Sequence, residues 1–121
     1  MVRFIQKRIK SFGYAFRGIR SFIGKEPNAW IHCMAVILVT LSGLYFDITA
    51  IEWCLVLICF ALVLAAEGFN TAIERLVDLV SPEQHPVAGD VKDIAAGAVL
   101  ICAIVSAIIG CMVFLPYFLE M

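Results

Sequence analysis

Residues 54–78 read CLVLICFALVLAAEGFNTAIERLVD, an apolar run from Cys54 to Ala66 that passes without a break into Glu67, Asn70, Glu74, Arg75 and Asp78. No proline separates the two halves, and the only glycine, Gly68, sits beside Glu67. One helix is therefore expected to carry both, its charge arriving before a membrane span should end. With Glu67 at zero and 100° per residue, Asn70 falls near about −60°, Glu74 near about −20° and Asp78 near about +20°. These four side chains share one face.

Outward from that stretch the chain is equally apolar: 63% of its 121 residues are hydrophobic, against about 45–50% in soluble globular chains. Ala29–Phe46, interrupted only by His32, and Ile94–Leu115, without any charge, are two further stretches of span length. A helix needs about 20 residues to cross about 30 Å of hydrocarbon. The expected fold is one all-α membrane domain over residues 1–121, with transmembrane helices at 28–46, 52–76 and 94–117.

Ahead of the spans, Ile5, Ile9, Phe12, Phe16, Ile19 and Ile23 recur at helical spacing, with Arg3, Lys7, Lys10 and Arg17 on the other side. This pattern predicts an amphipathic surface helix over 1–25. No apolar core followed by a small-residue cleavage site lies within it, so a retained N-terminus is expected. Gly24 and Pro27 should end that helix, with Asn28 or its neighbours starting the first span and Glu26 in the corner.

Basic residues set the orientation. Arg3, Lys7, Arg8, Lys10, Arg17, Arg20 and Lys25 precede the first span, Arg75 and Lys92 flank the 76–93 connection, and the 46–52 connection has none. The positive-inside rule then places the N-terminus and the 76–93 loop in the cytoplasm and the C-terminus outside. Thr49 and Trp53 read as a helix start and an interfacial anchor, and VSPEQHPVAGDVKD, residues 80–93, reads as a surface loop. The five cysteines lie in apolar stretches without CxxC spacing and read as buried small hydrophobes. Ala103/Ala107 and Ser106/Gly110 are small-xxx-small pairs that favour close helix contact, so self-association is expected.

Depth assigns chemistry to the charged face. Counted from Trp53 at the outer boundary, Glu67 lies about 9–10 Å inside the cytoplasmic boundary and Glu74 near it. An ionisable group at that depth costs several kcal/mol without partners or water, which makes function its default reading. A carboxylate there can serve as general base toward a hydroxyl delivered from the lipid side. Glu74, with Glu26 across the corner, can hold Mg²⁺, which takes oxygen ligands and shares them with substrate phosphates. Lys92 and Asp93 are expected to open the third span, where a lysine and helix N-terminal N–H groups favour a polyphosphate. No GxxxxGK[ST] is present, which excludes a P-loop nucleotide site. A small proton- or cation-coupled transporter is the alternative; its weakness is that the charges gather near one interface.

With those residues in view, the chain resembles the small prokaryotic integral-membrane lipid kinases, the family of bacterial diacylglycerol kinase and undecaprenol kinase. The resemblance rests on ExxNTAIExxVD at 67–78, KDxAAGAVL at 92–100, GYAFRG at 13–18 and the Glu26 corner. It implies a homotrimer in the bacterial cytoplasmic membrane, with active sites shared between subunits, that transfers the γ-phosphoryl of MgATP to a lipid alcohol. It further implies that Glu67 is the general base, with Asn70 and Ala96 beside the lipid substrate. Glu26 and Glu74 would be metal ligands that help place ATP; Lys7, Tyr14, Lys92 and Asp93, with Glu83 and His85, would contact the nucleotide. No nucleic-acid partner is implied.

Ala15, Phe16 and DIAAG at 93–97 stand where diacylglycerol kinases usually have serine, tryptophan and DMGSA, whereas KEPNAWIH at 25–32 and AAGAVL at 95–100 look like the undecaprenol branch. Fewer hydroxyls suit a lipid with a simpler head, so undecaprenol is favoured over diacylglycerol. His32 reads as a satisfied core histidine or a branch-specific contact.

Overall fold

A computed structural model describes residues 1–121. It contains four helices and no strand: α1 (Val2–Lys25), α2 (Pro27–Phe46), α3 (Ala50–Val80) and α4 (Pro86–Leu119). The last three are long and apolar enough to cross a membrane. Local chemistry sets each boundary. Glu26 has extended backbone, φ −105° and ψ 119°, the conformation favoured before a proline. Hence α1 stops at Lys25, and Pro27 takes the first position of α2, where its missing N–H costs nothing. Asn28, expected as a start residue, lies inside the helix.

Asp47 turns the chain between α2 and α3 with a positive φ of 52°, a conformation that Asp tolerates because its short polar side chain can bond locally. Thr49 then caps α3 in a reciprocal box: its hydroxyl accepts from the Glu52 N–H at 3.2 Å, and the Glu52 carboxylate accepts from the Thr49 N–H at 2.9 Å. From there α3 runs 31 residues without interruption, straight through the charged stretch.

The 80–93 loop reading needs correction. Only Ser81–His85 is non-helical, and α4 begins at Pro86. Proline at a first helical position promotes a helix, and the His85 Nδ1 completes the cap by accepting from the Val87 N–H at 3.1 Å. Lys92 and Asp93 consequently sit in the second turn of α4 and do not open it.

Helix lengths decide where the polar end lies. Twenty residues of α2 rise about 30 Å, enough for the hydrocarbon alone, whereas α3 rises about 46 Å and α4 about 51 Å. At the tight α2–α3 turn, Tyr117 of α4 donates its hydroxyl to Glu52 of α3. The surplus length of α3 and α4 therefore projects at the opposite end, beside Glu26.

The packed core sits at the turn end: Ile48, Val56, Val113 and Phe114 are buried, with Phe46, Trp53 and Tyr117 around them. Phe46 lies 4.9 Å, centroid to centroid, from Phe118 and 5.6 Å from Tyr117. α3 packs most extensively against α4. Only 11 of 121 residues are buried in the single chain, so its apolar surface must be solvated by lipid or covered by other copies. The cysteines show this: Cys59 is buried, but Cys33 and Cys102 are half-exposed and Cys54 and Cys111 are exposed, contrary to the buried reading of all five. A thiol on the outer face of a spanning helix needs no protein cover. In α2 the hydroxyls are satisfied internally, Thr40 donating to the Val36 carbonyl at 2.7 Å and Ser42 to the Leu38 carbonyl at 2.9 Å, whereas the shielded Ser106 hydroxyl of α4 has no partner.

Gly43 gives the turn end its closest approach. A Cβ there would lie 2.6 and 2.8 Å from ring atoms of Trp53 and 3.2 Å from Ile48. Overpacking costs about 1–3 kcal/mol, which outweighs the gain of about 1 kcal/mol that alanine brings to a helix. Gly43→Ala should therefore lower the thermal midpoint in detergent or lipid. Gly18→Ala, where nothing lies within 4 Å of the new methyl, should leave it unchanged or raise it.

Candidate active site

Three polar residues are buried, and all belong to one stretch of α3: Glu67 at 4% exposure, Asn70 and Thr71. Two of their oxygens, Glu67 Oε2 and Asn70 Oδ1, are shielded and have no hydrogen-bond partner. An unmade hydrogen bond on a buried polar atom costs about 1–3 kcal/mol, so such a pair persists where something else is meant to meet it. Asn70 uses its other end locally, its Nδ2 donating to Glu74 Oε1 at 3.2 Å. Glu67, Asn70 and Glu74 thus form one ladder up a face of α3, as the helical wheel requires. His32 of α2 stands at its lower end, Nε2 4.0 Å from Glu67 Oε2.

The upper end is tied to the α1–α2 corner. Arg75 Nη2 donates to Glu26 Oε1 at 3.2 Å, and Arg75 Nη1 donates to Ser21 Oγ at 3.1 Å. This brings Glu26 to the level of Glu74. Lys92 Nζ meets Asp78 Oδ1 at 2.5 Å, joining α4 to α3 one turn farther along. Neither Arg75 nor Asp78 was assigned a role from sequence. A basic residue beside an acidic one reads only as topology, and the Asp78–Lys92 pairing needs the hairpin register that the unexpected early start of α4 supplies.

Above these pairs the α3–α4 connection encloses an open polar cleft of ≈ 600 Å³, whose wall includes Asp78, Ser81, Glu83, His85 and Lys92. Three of the residues proposed to meet a nucleotide therefore share one cleft. Asp93 neighbours it without lining it. Lys7 and Tyr14 are exposed on α1, where Arg17 lies over the Tyr14 ring at 4.8 Å from its centroid. Ala96 is exposed, next to buried Ala95.

On the membrane side of the ladder, α2, α3 and α4 enclose a second cavity of ≈ 230 Å³, walled by residues such as Val36, Val39, Phe60 and Ile109. His32 lines it, as does Ser106. An aqueous cleft and an apolar cavity thus lie on opposite sides of the Glu67–Glu74 ladder.

No three His, Cys, Asp or Glu residues converge in one chain on a point suited to a metal ion. Glu26 and Glu74, each with one oxygen already engaged, suit a cation that brings most of its own ligands. Mg²⁺ carried on substrate phosphates is bound in this way, by one or two carboxylates.

The family model for prokaryotic diacylglycerol kinase matches residues 13–114. An undecaprenol kinase of Bacillus subtilis (strain 168) is 38% identical over 112 residues, covering 93% of this chain and 91% of the relative. A diacylglycerol kinase of Escherichia coli (strain K12) is 34% identical over 110 residues, covering 91% and 90%. Another, from Synechocystis, is 35% identical over 112 residues but is longer, 64% of it being covered.

The Arg75 tie should act on position more than on stability. Its guanidinium side is about half exposed at 46%, and such pairs contribute at most about 1 kcal/mol. Arg75→Gln should thus barely move the thermal midpoint while speeding amide hydrogen exchange around Ser21–Pro27. Unchanged exchange there would show that Glu26 is held by something else.

Proposed function

The chain belongs to the prokaryotic diacylglycerol kinase family and is a lipid kinase, and from that premise we propose that Glu67 takes the proton of a membrane lipid alcohol as the γ-phosphoryl of MgATP passes to its oxygen. One observation carries this reading: a buried carboxylate lacking a hydrogen-bond partner on its shielded oxygen, and so short of donors, lies between an apolar cavity and, farther along the same helix, an open cleft. A lipid hydroxyl and a nucleotide have few other places to meet. Family membership sets aside the transporter alternative.

In the reaction the hydroxyl O–H breaks and its proton goes to Glu67. The alcohol oxygen forms a bond to the γ-phosphorus, the bond from that phosphorus to the β–γ bridging oxygen breaks, and ADP leaves with the electron pair. Catalysis of such a transfer is mostly positioning and electrostatic stabilisation. Asn70 bonds Glu74 and so keeps base and boundary carboxylate in fixed relation, with Ala96 a further neighbour of the lipid head. Glu26 and Glu74 would hold Mg²⁺, which when bound offsets the charge of the triphosphate. Lys92 and His85, with Glu83 and Asp93, place the nucleotide in the cleft.

Lys7 and Tyr14 lie on α1, outside the cleft of their own chain, which suits completion of a neighbour's nucleotide site in a homotrimer. The extensive exposed apolar surface supports assembly in the same way. The basic residues before the first span support, through the positive-inside rule, a cytoplasmic position for α1 and the cleft at the bacterial inner membrane. Undecaprenol is the favoured substrate, with diacylglycerol next: Ala15, Phe16 and Ala96 remove polar groups near the lipid head, and the undecaprenol kinase relative shares the higher identity of the two types.

Glu67→Gln should keep the fold and lower lipid phosphorylation by about 10²–10⁴-fold, the usual worth of a general base. Full turnover in that variant, measured with labelled MgATP in lipid, would remove Glu67 from the role. Glu74→Gln should instead raise the Mg²⁺ and MgATP concentrations needed for half-maximal rate. In the same assay undecaprenol should give the higher kcat/KM than diacylglycerol, and the reverse order would reassign the substrate.

A further inference from the structure

His32 is the one basic side chain within the first span, and its Nε2 is the one basic nitrogen within 4.0 Å of the Glu67 carboxylate. On the ladder itself the two unpartnered oxygens, Glu67 Oε2 and Asn70 Oδ1, are both acceptors; the third shielded oxygen without a partner, Ser106 Oγ, lies on α4. A site with two open acceptors is short of donors. The lipid hydroxyl brings a single O–H, which the reaction directs to the base. An imidazole N–H is a second donor, carried by the neighbouring helix.

We propose that His32 is a positioning residue for Glu67: its Nε2–H donates to Glu67 Oε2, fixing the orientation of the carboxylate and leaving Oε1 turned toward the lipid hydroxyl. The inference rests on the reading of Glu67 as base. The 4.0 Å separation is longer than a hydrogen bond of about 2.9 Å, and catalytic hydrogen bonds commonly tighten only when substrate binds. A charge-assisted bond of this kind is about twice as strong as a neutral one, and it offsets part of the cost of an ionised carboxylate away from water. The imidazole also lines the apolar cavity. A lipid whose chain occupies that space presents its hydroxyl where His32 and Glu67 face one another.

The role differs from packing in what it demands of a substitute. His32→Phe fills the volume without a donor, and His32→Gln restores an N–H. In lipid vesicles with undecaprenol, His32→Phe should lose about 10–100-fold in kcat, the scale of a misplaced reacting group, with KM for MgATP unchanged; His32→Gln should recover most of the rate.

Parent-like kcat in His32→Phe would overturn the proposal, as would equal losses in the Phe and Gln variants, which would assign His32 to packing. Thermal unfolding checks the fold of each, and His32→Leu replaces the Phe variant if that one does not fold. Glu67→Gln, assayed in parallel, separates the two ideas: its full activity defeats the base reading whichever way His32 behaves, whereas an inactive Glu67→Gln beside a parent-like His32→Phe defeats only the positioning role.

Discussion

A carboxylate inside hydrocarbon is tolerable only if neighbouring elements bring it partners or a route to water, and the layout of this molecule follows from that constraint on Glu67. Its backbone is satisfied because α3 continues as one helix through the charged stretch, so the cost of polarity falls on side chains alone. Those side chains are spaced so that Asn70 and Glu74 climb the same face. Their neighbours arrive from both sides: His32 from α2 at the apolar end, and the Glu26 corner, fastened by Arg75, at the aqueous end. Along α3 the carboxylate thereby lies between an apolar cavity that reaches Leu64 and a polar cleft that begins at Val77.

The two ends of the bundle are built differently, and that division serves the site. Aromatic packing, the Thr49–Glu52 capping box and the Tyr117–Glu52 bond lock the α2–α3 turn end. At the other end, contacts between helices are mostly ion pairs and an open cleft. Such contacts are individually weak. A polar, loosely packed end can admit and release a nucleotide while the locked end keeps α3 in register. Under the proposed function, lipid and nucleotide approach the same helix from different solvents and meet only at the Glu67–Glu74 ladder.

Much of this was legible in the residues. Three spans follow from runs of apolar side chains, and the common face of Glu67, Asn70 and Glu74 follows from helical geometry alone. What escaped were features that depend on what a residue does at a boundary. Pro86 sits among turn-forming residues and reads as loop, yet a proline in first position begins a helix; the early start of α4 makes Lys92 a partner of Asp78 and not a helix opening. Arg75 carried no signal of its own, because its bond to Glu26 joins residues far apart in the chain. The cysteines depart from the buried reading for a related reason: in a membrane, an apolar residue gains little from being inside the protein.

A structure of the protein in lipid nanodiscs, with undecaprenol, Mg²⁺ and a non-hydrolysable ATP analogue, tests the central claim most directly. The account predicts the lipid hydroxyl within hydrogen-bond distance of the Glu67 carboxylate, its chain in the membrane interior, and the triphosphate at the α3–α4 cleft beside Glu74. A lipid head bound away from Glu67, or a nucleotide held on a surface remote from Glu74, would contradict it.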